Sequence, residues 1–333
     1  MIPSTSLLLS VLAAGTLQVS AQTLSKPPAQ PPFNWVPMSE KIHPNTASPH
    51  WEYNKWPWGL IPSICKHVAE RENLSPYDME VYDVWYADCE TRWVFCRHNQ
   101  ANMAWWDFFD RFGRVPVGAR DHVRHIIAIP LPNAISGYAY SGQGDVVFKG
   151  NVAAPGAASI WYHEIGHALD WQNNQYSTTQ QWINAYNADS AVPVAYAQTN
   201  QAENFAENVI VAAYDNLVPG GLAAMSPTAG YGQVWNQFNQ VKTGMGDRLR
   251  KINGRRCSRK AGQLDAVVCM GPAARDSNSC PGVSQFSATT ADAGRNGTAS
   301  AARFVEPEEE FFDLKTGAVT SRSHSHAGEK QKA

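Results

Sequence analysis

The sequence predicts an α+β protein: a small mixed sheet, one helix that carries the active site, and a mainly helical C-terminal part. Three observations lead there. Short apolar runs closed by Gly or Pro, at Val123–Ile129 and Asp145–Lys149, read as strands. The stretch from Ala157 to Gln172 has helical periodicity and contains the pentad His163-Glu164-Ile165-Gly166-His167. Behind it, Gln180–Ala188, Ala202–Asp215 and Val234–Lys251 each place apolar residues at helical spacing.

In chain order, residues 1–21 carry no charged side chain, and Leu7 to Leu17 is an apolar run too short to span a bilayer. With Val19-Ser20-Ala21 after it, this reads as a secretory signal peptide cut after Ala21, which makes the protein secreted and extracellular. Residues 22–50, with Pro27-Pro28 and Pro31-Pro32, read as an extended lead-in. Residues 51–112 are crowded with aromatics, including Trp51, Trp56, Trp58, Trp85, Trp93, Trp105 and Trp106. A sugar-stacking platform and an aromatic core around disulfides both fit, and the core is favoured because no repeat spaces the rings along one exposed face. From about residue 283 the chain becomes Ser/Ala/Gly-rich, then acidic and polar, which predicts a disordered tail over 283–333.

The 333 residues carry a formal net charge of -2, with no basic stripe and no long apolar segment after the first. Nucleic-acid and membrane partners are therefore not expected. The oligomeric state is not legible. The six cysteines, Cys65, Cys89, Cys96, Cys257, Cys269 and Cys280, would meet an oxidising compartment. A Cys89–Cys96 hairpin disulfide is expected, with Cys65 pairing to a late cysteine. Asn73-Leu74-Ser75 and Asn296-Gly297-Thr298 are acceptors for N-linked glycans.

The chemistry sits in the pentad. Residues four apart share a helix face, so His163 and His167 point at one ion, with Glu164 beside them as a base for a water. Two imidazoles do not make a catalytic zinc site, which needs a third protein ligand and an open position. Asp170, one turn past His167, is better placed to orient a neighbour than to complete the set. Glu203 and Glu207 lie four apart on the next strong helix, hence on one face. One of them would bind the ion and the other would accept from the far nitrogen of a ligand histidine.

The pentad, together with Tyr196 seven residues before Glu203-Asn204-Phe205-Ala206-Glu207, resembles the gluzincin zinc metallopeptidases, specifically the anthrax lethal factor-like catalytic domain. The chain as a whole also resembles secreted conidiation-associated proteins of filamentous fungi. The first resemblance implies a zincin-like fold, here over a disulfide-stabilised catalytic domain at 51–282. It also implies one zinc per chain on His163, His167 and Glu203, with Glu164 as general base, Tyr196 as transition-state donor and Glu207 as outer carboxylate. The expected activity is that of a secreted metalloendopeptidase acting on a peptide or protein substrate laid along the strand Asp145–Lys149. Two other readings remain: a non-catalytic wall-associated or carbohydrate-binding protein, and an aspzincin-like protease. The latter needs a Gly-Thr-x-Asp sequence after the pentad, and none occurs.

Overall fold

A computed structural model describes residues 23–225, 230–259, 261, 264–270, 307, 309–313 and 319–322. The expected signal peptide, Cys280 and Asn296 lie outside the described residues. The elements run α1 (Trp35–Ile42), β1 (Trp51–Lys55), β2 (Leu60–Pro62), α2 (Ser63–Arg71), β3 (Met79–Tyr86), β4 (Trp93–His98), α3 (Trp105–Arg114), α4 (Val117–Arg120) and β5 (His125–Ile129). There follow β6 (Ile135–Tyr140), β7 (Asp145–Gly150), α5 (Ala158–Gln172), α6 (Gln180–Ala188), α7 (Gln201–Leu217), α8 (Trp235–Met245), β8 (Val267–Cys269), β9 (Glu309–Phe312) and β10 (Val319–Arg322).

The fold is α+β, with the helices concentrated in the C-terminal half, but the sheet is not small. Eight strands lie in the order β1-β3-β4-β5-β7-β6-β9-β10. β4, β5 and β7 are parallel neighbours, and every other neighbouring pair is antiparallel. The central strands are buried on both faces, so side chains alternate between two cores. Ile126, Ala128, Val146 and Phe148 face the larger core with α1, α3, α5, α7 and α8. Ile127, Ile129 and Val147 face a smaller core beneath α2 and the β2–β8 ribbon. Most of the N-terminal aromatics fill these cores: Phe95, Phe109, Tyr82 and Trp105 interlock on the larger side. Tyr53, Trp58 and Trp106 stand exposed, and Trp85 is part-buried outside both cores. Among the described residues no helix is long and apolar enough to cross a membrane.

The structure corrects five expectations. The lead-in is not extended throughout, because Asn34 caps α1 by accepting from Val36 N at 3.2 Å. Trp35, Met38 and Ile42 then bury one face of that helix. The disulfides are Cys65–Cys96 and Cys89–Cys257, and Cys269 is disulfide-bonded as well. A Cys89–Cys96 bridge does not form because Cys96 is opposite Val81, well along the β3–β4 ladder from the hairpin turn that holds Cys89. α8 stops at Met245, where Gly246 turns to φ 52, short of Lys251. Within the stretch expected to be a disordered tail, Glu309–Phe312 and Val319–Arg322 are paired strands, the apolar Phe311 and Phe312 flanked by acidic residues that masked the signal. Finally, β7 is not an edge. It lies between β5 and β6, and β6 in turn carries β9.

Candidate metal centre

α5 is buried on nearly every side, from Ser159 to Asp170. It crosses α7 at close range because Gly166 has no side chain. A Cβ there would sit 3.3 Å from Ala206 Cα and 3.4 Å from Val209 Cβ. That approach sets Glu203 and Glu207, which flank Ala206 on α7, against the histidines of α5.

The three nearest polar atoms form an almost equilateral triangle. His163 Nε2 is 3.0 Å from His167 Nε2 and 3.1 Å from Glu203 Oε2. His167 Nε2 is 3.2 Å from the same oxygen. Hydrogen bonding alone accounts poorly for three mutual contacts, since two imidazole nitrogens facing each other and one carboxylate cannot all be donor–acceptor matched with neutral rings. A divalent cation does account for them. Ligand bonds near 2.05 Å at the tetrahedral angle put ligand atoms about 3.3 Å apart. His163, His167 and Glu203 are also the residues grouped as able to share one ion.

The surroundings favour charge on the glutamate. Glu203 stands in the first turn of α7, whose Asn200 cap accepts from Glu203 N at 2.9 Å, so the helix N-terminus faces the carboxylate. Burial alone would raise its pKa, but the charges and hydrogen bonds of His167 and His163 outweigh that and hold it well below the ordinary carboxylate value. On the other side of the His163 ring, Glu207 Oε1 lies 3.6 Å from Nδ1. That is where a carboxylate fixes the tautomer and orientation of a metal-binding imidazole.

Glu164, fully buried, rests on β6. A Cβ on Gly137 would meet Glu164 Oε1 at 2.4 Å, so this strand position must be glycine for the carboxylate to lie where it does. Tyr196 comes from the 3₁₀ turn Ala195–Gln198 just ahead of α7, and its ring centroid is 6.0 Å from that of His163. Asp170 does not join the group. Its oxygens accept from Ser177 N at 2.6 Å and Ser177 Oγ at 2.7 Å, so it ties down the loop after α5.

A protein-family model for the conidiation-specific protein Con-13 matches residues 39–327. The chain belongs to the Con-13 family. A curated relative, conidiation-specific protein 13 of Neurospora crassa, is 30% identical over 234 residues, covering 68% of this chain. The match spans 66% of that relative, just under two thirds of its length. No solved structure matches. The fungal resemblance is thus carried by most of the chain, whereas none of these comparisons supports the gluzincin resemblance.

Of the site residues expected from the sequence, His163, Glu164, His167, Tyr196, Glu203 and Glu207 converge and Asp170 stays apart. Two participants escaped the sequence reading. Gly137 gave a signal, an isolated glycine in an otherwise β-forming run, which marks a close approach of another group. Phe312 gave none that distinguishes it from any aromatic in a polar tail, yet its ring centroid is 6.4 Å from that of His163.

Proposed function

We propose that the protein is a secreted zinc-dependent peptidase. The observation that carries this reading is the triangle of His163, His167 and Glu203, with a second, non-ligating carboxylate, Glu164, on the same helix. A site that only held a structural ion would have no use for Glu164. When bound, a divalent ion supplies Lewis-acid polarisation of a carbonyl oxygen and acidifies a water. The protein's own groups do the rest. Glu164 takes the water's proton and later delivers it to the departing amide nitrogen. The Tyr196 hydroxyl donates to the substrate carbonyl oxygen as negative charge grows there. Glu207 holds the His163 ring in the tautomer that leaves Nε2 free for the ion. The disulfides support an oxidising destination.

The test is metal analysis of the purified protein, followed by digestion of a peptide library with and without chelator. One zinc per chain and chelator-sensitive cleavage are expected. Zinc at full stoichiometry with no cleavage of any peptide, by the parent or by tail variants, would leave an ion-binding protein without hydrolase activity. A second reading, a wall-associated carbohydrate binder, is favoured by Trp58, which stands 78% exposed beside Tyr77. Retention on chitin or glucan that is lost in Trp58→Ala would support it.

A further inference from the structure

The sheet edge nearest the pentad is occupied by the chain's own C-terminal segment. β9 runs antiparallel to β6, with Ile135 opposite Phe312, Ser136 opposite Phe311 and Gly137 opposite Glu310. Gly137 is the residue on which Glu164 rests. β10 then lies outermost in the sheet, against the Ala195–Gln198 turn that carries Tyr196. An extended strand pairing antiparallel to an edge beside a metal centre is how a peptide adds to a sheet. β9 has that geometry.

We infer that Glu309–Phe312 occupies, in cis, the groove in which an extended peptide binds, so that the C-terminal hairpin is a displaceable plug on the metal centre. The inference names the regulation of the site proposed above and rests on that reading for its functional consequence.

The plug has two anchors. On the far face of the sheet the buried Glu309 carboxylate accepts from Lys149 Nζ at 2.6 Å and Ser136 Oγ at 2.9 Å. On the near face Phe312 is buried beside Ile135, edge-on to the His163 ring. The polar anchor can be released without stranding a charge. Lys149 also holds Glu72 at 2.6 Å, so withdrawal of Glu309 leaves no uncompensated buried cation. Among the described residues β9 and β6 pair over three residues, against six for β6 with β7. The hairpin lies inside the region matched by the family model, 39–327. Being tethered, it competes with any free peptide as an intramolecular ligand, which lowers the peptide's apparent affinity by the fraction of open molecules. A peptide that displaces it would present an aromatic residue opposite Ile135 and an acidic residue three positions earlier.

The experiment uses the full-length, zinc-loaded protein and two variants, Phe312→Ala and Glu309→Ala, each removing one anchor. Amide hydrogen exchange is followed at Ile135, Ser136 and Gly137, with Ile126 and Ile127 of β5 as internal controls. In parallel, the rate of zinc transfer to a small chelator is recorded, and then cleavage of a peptide library. Those of the three β6 amides that point at β9 should exchange at least about tenfold faster in both variants, while those that point at β7 and the β5 amides are unchanged. Zinc should leave faster by a similar factor. Faster exchange and faster zinc loss without cleavage in any form would keep the plug and remove the peptidase reading. Unchanged β6 exchange and unchanged zinc loss in both variants would overturn the plug. Equal acceleration of β5 and β6 would also overturn it, since the hairpin would then be an integral part of the sheet.

Discussion

Replacing Glu203 by Gln keeps the side-chain volume and removes the one ligand that carries charge. The three ligand atoms lie 3.0 to 3.2 Å apart, the spacing of atoms that share one ion. Loss of a carboxylate one step further out already costs 10–100-fold in metal affinity, so loss of the ligand itself should cost at least about 100-fold, or about 2.7 kcal/mol. The consequence for melting follows by mass action. With free zinc at about 1,000 times the parent's Kd, the ion stabilises the fold by about 4.1 kcal/mol; after a 100-fold loss only about 1.4 kcal/mol remains. At about 2 °C per kcal/mol for a chain of this size, zinc should raise the parent's Tm by about 8 °C and that of Glu203→Gln by no more than about 3 °C. The assay is thermal melting in zinc-buffered solution, with metal stoichiometry measured after dialysis. Asp170→Asn is the control. Its oxygens are taken up by Ser177, so its zinc-dependent shift should equal the parent's even if its apo Tm is lower. A Glu203→Gln protein with the parent's full zinc shift would refute the ligand assignment.

Glu164→Gln should keep the zinc shift and lose roughly 10²–10⁴-fold in peptide hydrolysis, the contribution of a positioned general base; metal analysis and turnover on the same sample separate the two effects. Asp145, at the start of β7, binds His125 Nδ1 at 2.7 Å and Arg124 Nε at 2.8 Å, both from the neighbouring strand or its approach. Burial would raise its pKa, but His125 and Arg124 overcome that and lower it to about 2. Because the folded value lies below the unfolded one, the contribution is complete above about pH 4 and fades as pH falls toward 2, by about 2.5 kcal/mol in all. Asp145→Asn should therefore flatten the acid limb of the stability curve in that window and cost about 3–5 kcal/mol at neutral pH, read by denaturant titration. Joint replacement of Cys89 and Cys257 by Ser opens a closure of 168 residues, worth up to about 5 kcal/mol of chain entropy, so Tm should fall by several degrees; an unchanged Tm would show that the denatured chain is held compact by other means.

How far the sequence could be read depended on whether the signal was local. The pentad and the α7 carboxylates declare themselves because each is set by spacing within one helical turn, while Tyr196 was reached only through the family resemblance; the structure brings them together. β5 and α5 through α7 were legible for the same reason, their apolar periodicity being strong over the whole element. The disulfide pairing was not, because it depends on register: Cys96 faces the smaller core on β4, beside Cys65 of α2, and no spacing rule conveys which side of a strand a cysteine occupies. α1 was hidden by its prolines, although Pro37 falls in the first turn, where the backbone N–H has no helical partner to lose. The tail hairpin was hidden by composition, since an acidic, Ser-rich context outweighs two phenylalanines in any window average.

The strand beside the pentad shows a different limit. β7 immediately precedes α5 in the chain, and proximity in sequence makes it look like the strand a substrate would meet. Its partner β6 is joined to it by a tight turn ending at Gly144, so the two must be neighbours, while β5 pairs with β7 on the other side through a parallel ladder. β7 is thereby enclosed, and the exposed backbone passes to β6. An uncovered β6 would offer unpaired amides and carbonyls next to a buried metal centre, an invitation to pair with any chain nearby. On the plug proposed above, covering that edge and restricting access to the centre are one requirement met by one segment. The tail strand would be retained on the first ground even in a relative whose pentad had lost its glutamate, and Phe312 with it, because that ring also fills the larger core with Ile135.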